Sequence, residues 1–194
     1  MKKLIHNFTA IKLIVIAGLL LACSAATVLA QEETYLVRVE IVGVPGEGAG
    51  GSIEAVQFSS SLTTDLGGGV TGAQASRAKF APIVITKGID MATPKLLSFC
   101  ASGQRLSRVQ ISVIRVNHLQ RNGEQVFYRI LLDDVQVSSV TARFPKSTDP
   151  KSLVDSGGPL EEVAFTYGRI NWIYTLPNSS TVKEGFDLRT GRDF

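Results

Sequence analysis

After residue 30 the chain alternates apolar and polar residues almost throughout, and only one segment has the pattern of a helix. In residues 83–103 a β-type run passes into that helix. Pro94 suits the first helical position, Thr93 is placed to cap the helix by accepting a backbone N–H, and Gly103 lies just past the end. A chain with one short helix and many strands is predicted to fold as a mainly β domain.

The helix carries its own packing signal. Leu96, Leu97 and Cys100 fall at i, i+1 and i+4, which predicts one shared apolar face. The helix is therefore expected to close one side of the β-structure. Cys100 is expected to be a buried small apolar residue, because free cysteine is commonly buried.

Period-two alternation predicts the strands. Glycine-rich loops are expected at 46–51 and 67–72, a tight turn at Asn122-Gly123, a polar loop at 146–159 and an exposed tail at 190–194. The predicted strands cover 35–42, 53–58, 80–86, 109–116, 126–132, 135–144, 163–174 and 186–189.

The strand at 163–174 changes phase at Gly168. Val163, Phe165 and Tyr167 are apolar at odd positions, whereas Ile170, Trp172 and Tyr174 are apolar at even positions. A bulge or bend at Gly168 would keep these aromatic side chains pointing inward around a curved sheet. The predicted fold is a curved two-sheet β-barrel with one short flanking α-helix.

Residues 1–30 are predicted to be an export signal, with a single domain in 31–194. The segment begins with Lys2 and Lys3, continues with an apolar run from Leu13, and ends in the small-residue pattern before Gln31. Two alternatives remain: lipidation at Cys23, and an uncleaved anchor formed by the uncharged residues 13–30.

The basic character of the chain belongs to this first segment. It holds three of the 20 Lys and Arg residues and none of the 17 acids, so 17 basic and 17 acidic residues follow. A neutral domain gives no support for nucleic-acid binding, and copies with no net charge do not repel one another. With Cys100 as its only cysteine, the domain has no internal disulfide.

No catalytic, cofactor-binding or metal-binding residues are predicted. His118 is the only histidine after the signal, and no serine lies in a G-x-S-x-G segment. The adjacent pairs Asp133-Asp134 and Glu161-Glu162 lie on strands, where neighbouring side chains point to opposite faces. We expect these carboxylates at solvated strand ends or in ion pairs between subunits. The glycine-rich loops lack the Lys-Ser or Lys-Thr of a phosphate-binding loop.

Seven segments resemble the Hcp (haemolysin-coregulated protein) family, the tube subunits of bacterial type VI secretion. In chain order they are 41–47 (IVGVPGE), 52–54 (SIE), 86–90 (TKGID), 92–97 (ATPKLL), 132–140 (LDDVQVSSV), 167–174 (YGRINWIY) and 185–190 (GFDLRT). They span nearly all of the chain after the signal.

The resemblance implies a curved barrel with one flanking helix, which closes into hexameric rings that stack into a tube. It implies no catalytic site and no cofactor, with self-association as the main contact and other secretion-apparatus or effector proteins as further partners. The signal departs from the family pattern, because tube subunits leave the cell through the apparatus itself. The chain is therefore expected to be exported to the periplasm or the exterior. The alternative is a monomeric effector or binding module there.

Overall fold

The computed structural model describes residues 34–64, 78–117, 123–144 and 158–194. These residues form ten strands and one α-helix, α1 (Thr93–Ser102), with a short 3-10 turn at Ala49–Gly51. The strands are β1 (Thr34–Ile41), β2 (Ile53–Ser59), β3 (Leu62–Thr63), β4 (Lys79–Phe80), β5 (Ile83–Gly88), β6 (Leu106–Val116), β7 (Glu124–Arg143), β8 (Leu160–Thr175), β9 (Thr181–Asp187) and β10 (Arg192–Asp193).

Six strands close into an antiparallel barrel. The order β8-β5-β2-β1-β6-β7 returns to β8 through direct β7–β8 pairing. Strands β9 and β10 extend the sheet beyond β8, and β3 pairs with β4 in a separate two-stranded sheet. The predicted mainly β barrel with one helix is confirmed.

The barrel interior is filled by inward-facing aliphatic residues from every strand of the ring. Its fully enclosed members include Val39, Ile53, Ile85, Ile111, Leu132 and Phe165. At one end of the interior an aromatic group packs around Phe80, whose ring stacks on Phe186 at 5.0 Å between centroids. Phe80 also contacts Trp172 at 6.4 Å and Tyr167 at 6.5 Å. Alternation along the strands therefore fills the core without a disulfide.

Strand β8 changes neighbours around Gly168. It pairs with β5 up to Phe165 and with β9 from Arg169 onward. Phe165, Tyr167 and Ile170 are all buried, so the phase change is present. The predicted bulge is absent at Gly168, because the β7–β8 register is unchanged across this residue and shifts instead between Val137 and Ser139.

The opposite strand approaches Gly168 closely. Asp134 lies between the pairs that flank Gly168 and has φ of 56°. A Cβ at Gly168 would lie 2.8 Å from Asp134 Oδ2, so any other residue here would require the Asp134 side chain to move.

The apolar face of α1 differs from the prediction. Leu96 and Phe99 are buried, Cys100 is partly buried against the core, and Leu97 is 48% exposed. Successive helical residues are about 100° apart, so burying Leu96 turns Leu97 outward, and Phe99 at i+3 takes its place. The predicted cap is also wrong, because the residue before the helix, Ala92, makes no side-chain cap and Thr93 lies inside the helix.

Several boundaries also changed. The predicted strand at 80–86 is divided between β4 and β5, the two strands predicted at 126–144 form one strand, β7, and β9 begins before the predicted 186. The loop at 46–51 is tied together by its own backbone: the Gly46 N–H donates to the Gly51 carbonyl at 2.8 Å, and a Cβ at Gly46 would lie 2.3 Å from the Ser52 carbonyl oxygen.

Some predictions lie outside the described residues. They are residues 1–30 with Cys23, the loop at 67–72, most of the loop at 146–159, Asn122 and His118. Within the described ranges, no helix has the length and apolar character needed to cross a membrane.

Candidate assembly surface

A cluster of charges is enclosed in the barrel beneath the start of α1. Lys87 on β5 lies directly opposite Glu161 on β8, and both side chains are 0% exposed. Lys87 Nζ lies 2.8 Å from Glu161 Oε1 and 2.6 Å from Asp90 Oδ1. The Thr93 hydroxyl donates to Glu161 Oε1 at 2.8 Å. The prediction of a solvated or intersubunit carboxylate is therefore wrong for Glu161.

This cluster is closed to substrates. The Lys87 ammonium has three N–H donors, and four acceptors surround it, because it also contacts the Gly88 carbonyl at 2.8 Å and Thr93 Oγ at 3.3 Å. Asp90 also accepts from the Ala92 N–H at 2.9 Å, which ties the turn before α1 to the cluster. The arrangement fixes the helix on the barrel and leaves no reactive group exposed.

The outer face of the sheet carries a charge ladder of five residues on five adjacent strands. Each is directly opposite the next: Arg108, Asp133, Arg169, Asp187 and Arg192, on β6 to β10. Arg108 Nε donates to Asp133 Oδ1 at 2.8 Å, and Arg169 Nη2 lies 4.0 Å from Asp133 Oδ2. The signs of the five charges alternate from strand to strand, so each charge lies opposite a charge of the other sign.

The ladder alters the titration of two of its members. The hydrogen bond to Asp133, with that carboxylate's charge, holds the pKa of Arg108 above its ordinary value. The backbone N–H of Thr190 donates to Asp187, and with the N–H and charge of Arg189 and the charge of Arg169 it lowers the pKa of Asp187. Both shifts favour the charged forms that the ladder uses.

The aromatic residues of β8 divide between the core and the surface. Burial raises the pKa of the Tyr167 phenol to about 12. Trp172 packs against the core, but Tyr174 is 44% exposed, so the predicted inward position of Tyr174 is wrong. Tyr174 contacts Phe127 edge-on at 6.2 Å, and Phe127 contacts Tyr35 at 5.7 Å. These three rings form an aromatic rim at the surface.

Several strand edges in the described part of the sheet lack a neighbour. Residues 136–143 of β7 pair only with β8. The pairing of β2 with β1 ends where Ala55 meets Val37, so residues 57–59 pair only with β5, and Val56 lies at the register shift before them. Strand β9 pairs with β8 along its length, but β10 covers only Asp187 and Phe186 on its other side. Unpaired edges of this kind are templates for pairing with another chain.

The described surface offers grooves rather than an enclosed site. One groove of about 460 Å³ follows the turn after β1, and another of about 330 Å³ lies where β1 and β2 diverge. Within the described ranges, no three His, Cys, Asp or Glu side chains are grouped to hold a metal ion. The open edges are features of a kind that other chains can pair with.

Comparison with known proteins identifies the family. The family profile described as "Type VI secretion system effector, Hcp" matches residues 41–174, which include α1 and all of the barrel strands except most of β1. The chain belongs to the Hcp family. A curated relative, the "Major exported protein" of Pseudomonas aeruginosa, is 31% identical over 99 residues. That match covers 51% of this chain and 55% of the relative, so the chain spans about half the length of the curated relative.

Solved Hcp structures share the fold. Hcp1 from Salmonella typhimurium has a TM-score of 0.66 at 16% identity, over 82% of this chain and 99% of that one. A structure described as a type six secretion system protein has a TM-score of 0.69 at 20% identity, over 83% of this chain and all of that one. At these identities the likeness shows the Hcp fold alone.

The sequence patterns do not predict two charged features of this Hcp protein, the buried Lys87 cluster and the charge ladder. Lys87 and Asp90 were noted only as part of a family segment, although a lysine at an inward position of an alternating strand is a signal of a buried ion pair. The charge ladder depends on the pairing register across five strands, which single-strand patterns do not give.

Proposed function

We propose that this chain is a non-enzymatic structural protein whose copies assemble into hexameric rings that stack into a tube. The observation that carries the proposal is a closed Hcp barrel with unpaired strand edges, which include residues 57–59 of β2, residues 136–143 of β7 and the outer side of β9. A closed barrel has few edges, so those that remain exposed are the natural contacts between copies. The neutral charge of residues 31–194 favours such self-association.

Light scattering and electron microscopy of the purified full-length chain test this proposal. The expected result is a particle of six protomer masses and ring-shaped images, with stacked rings at high concentration. A protein that remains monomeric over the whole accessible concentration range would contradict ring assembly.

We also propose that the first 30 residues direct export, with cleavage before Gln31, and that residues 31–194 form a single domain. The apolar N-terminal pattern and the exported P. aeruginosa relative support export. Cell fractionation followed by N-terminal sequencing is the test. A start at Gln31 is expected in the periplasm or medium, whereas a lipidated Cys23 or an intact N-terminus in a membrane fraction would establish one of the other two fates.

The aromatic rim favours a second candidate function, a monomeric exported binding module. Tyr35 and Tyr174 are half-exposed, and aromatic side chains are enriched at binding surfaces. This candidate requires a monomer with a saturable ligand. Replacing Tyr174 with Ala would then abolish binding without unfolding the protein, whereas the ring proposal expects no such ligand.

A further inference from the structure

Strand β9 lies beyond the closed barrel, and β10 covers part of its outer edge. After β10 the Phe194 N–H donates to the Gly185 carbonyl at 3.3 Å, so the backbone of Gly185 points away from β8. Antiparallel strands direct alternate residues to the same side, so the backbone groups of residues 181 and 183 also point outward. The chain around β10 therefore occupies one half of this edge and leaves the half at residues 181–184 open.

A tight turn brings β10 back along β9. The Asp187 carboxylate accepts the backbone N–H groups of Arg189 and Thr190 at 2.9 and 3.0 Å. The Asp187 carbonyl accepts the Gly191 N–H at 2.8 Å, and Gly191 has φ of 70°, a conformation that other residues rarely adopt. The return of the chain therefore depends on Asp187 and Gly191.

Two side chains fix the position of β10 on β9. Arg192 lies directly opposite Asp187, at the end of the charge ladder. The Phe194 ring lies against Gly185, because a Cβ at Gly185 would be 3.1 Å from Phe194 Cζ. An aromatic ring placed across a glycine of the neighbouring strand helps to fix the register of a sheet. The pairing of this short strand is therefore specific.

The same strand is weakly held. It has only two residues, residues 189–194 are all exposed, and the Phe194 side chain is 60% exposed. Segments with few buried contacts open at a small cost in free energy. Opening of β10 would uncover the outer edge of β9 along all seven of its residues, Thr181–Asp187. A free edge of that kind is a template for pairing with another chain.

We propose that β10 is a guard strand, which holds the place of an added strand on β9 and so blocks pairing of other chains along that edge. The open half of the edge carries Lys183 and Glu184, whose charges on opposite faces are a common protection of sheet edges. The covered half includes Gly185 and Phe186, which have no charge. The guard strand therefore covers a part of the edge that charge does not protect. This inference does not rest on ring assembly, because it concerns an edge that is blocked.

Two variants of the full-length chain that release β10 test this proposal. The first combines Arg192→Glu, which places two carboxylates opposite each other, with Phe194→Ala, which removes the ring from Gly185. The second is Gly191→Pro, because proline has no N–H to donate to Asp187 and cannot adopt a positive φ. In both, hydrogen exchange of the backbone amides in residues 192–194 should accelerate by about tenfold or more.

Light scattering over a range of concentrations then measures what the released edge does. Both variants should form species larger than those of the unmodified chain, and these species should grow with concentration. Exchange in residues 181–187 should slow as they form, because the edge becomes paired. Asp193→Ala is the matched control: this exposed side chain lies on the other face of β10 from Arg192 and should leave both measurements unchanged.

Three results would overturn the proposal. Accelerated exchange in residues 192–194 with unchanged scattering would mean that the uncovered edge needs no guard. Larger species in which residues 181–187 exchange as in the unmodified chain would place the new contact elsewhere. No acceleration in either variant would mean that these contacts do not hold β10. Each comparison is made with the unmodified chain, so it has the same meaning whether that chain forms rings or remains monomeric.

Discussion

Two ion pairs in this barrel have the same geometry and opposite surroundings. Lys87 and Glu161 lie directly opposite each other on β5 and β8, as Arg108 and Asp133 do on β6 and β7, and each pair is 2.8 Å apart. The first pair is sealed beneath α1, whereas the second is on the outer face with Arg108 in solvent. Burial, rather than distance, therefore determines how much each ion pair matters for stability.

Breaking the buried pair is expected to have the largest effect. Lys87→Met should lower the free energy of unfolding by about 3–5 kcal/mol, because it leaves the Glu161 carboxylate enclosed without its cation. Arg108→Met should cost less than about 1 kcal/mol, since Arg108 is itself exposed and Arg169 remains beside Asp133. Urea denaturation of both variants measures the difference.

A double replacement tests whether the unpaired Glu161 carboxylate causes this loss. Lys87→Met with Glu161→Leu should recover part of the lost stability, because the enclosed Glu161 carboxylate is removed with its partner while Asp90 still lacks its cation. If Lys87→Met cost no more than Arg108→Met, the buried cluster would not be what secures the start of α1.

The second prediction compares a buried and an exposed leucine that are adjacent in α1. Leu96→Ala should destabilise the protein by about 2–5 kcal/mol, because it opens a cavity in the core. Leu97→Ala should change stability by less than about 0.5 kcal/mol, because the side chain is half in water. Thermal unfolding of the two variants measures this, and equal losses would place both leucines on the buried face.

These two regions also show what the sequence could predict. Period-two alternation was enough to predict the approximate positions of the barrel strands and the phase change at Gly168, because burial of one face is visible in the sequence of each strand separately. The buried Lys87 cluster and the charge ladder were not predicted, since both arise from registers between strands distant in sequence. The error at Leu97 had a local cause: two adjacent leucines cannot both face the core, and Phe99 was the better partner for Leu96.

The third prediction concerns the buried, uncharged phenol of Tyr167. The Tyr167 pKa is raised to about 12 by burial, so the folded state favours the uncharged phenol. Its contribution is fully present below the unfolded pKa of about 10 and is lost as pH rises through about 12. The expected loss is on the order of 1–2 kcal/mol.

Tyrosinate absorbance identifies the group. The wild type should show one phenol titrating near 12, and Tyr167→Phe should lack that step while retaining the other three tyrosines. The alkaline loss of stability should shrink in the same variant. An unchanged titration curve would assign the late step to another tyrosine.

The smallest effect is expected at the outer end of the charge ladder. Hydrogen bonds from Thr190 and Arg189 and the nearby arginine charges lower the pKa of Asp187, so its ionised form is favoured in the folded state. Its contribution is present above the unfolded pKa, near 3.8, and is lost as pH falls through the lower folded value. Asp187→Asn should therefore lower the melting temperature slightly at neutral pH, and the difference from wild type should vanish in acid and shrink in high salt.

Asp193→Asn, which replaces an exposed carboxylate on the adjoining β10, should show no such pH-dependent difference. Identical behaviour of the two variants would mean that the ladder charge at Asp187 adds nothing to the stability of the fold, unlike the buried charges of Lys87 and Glu161.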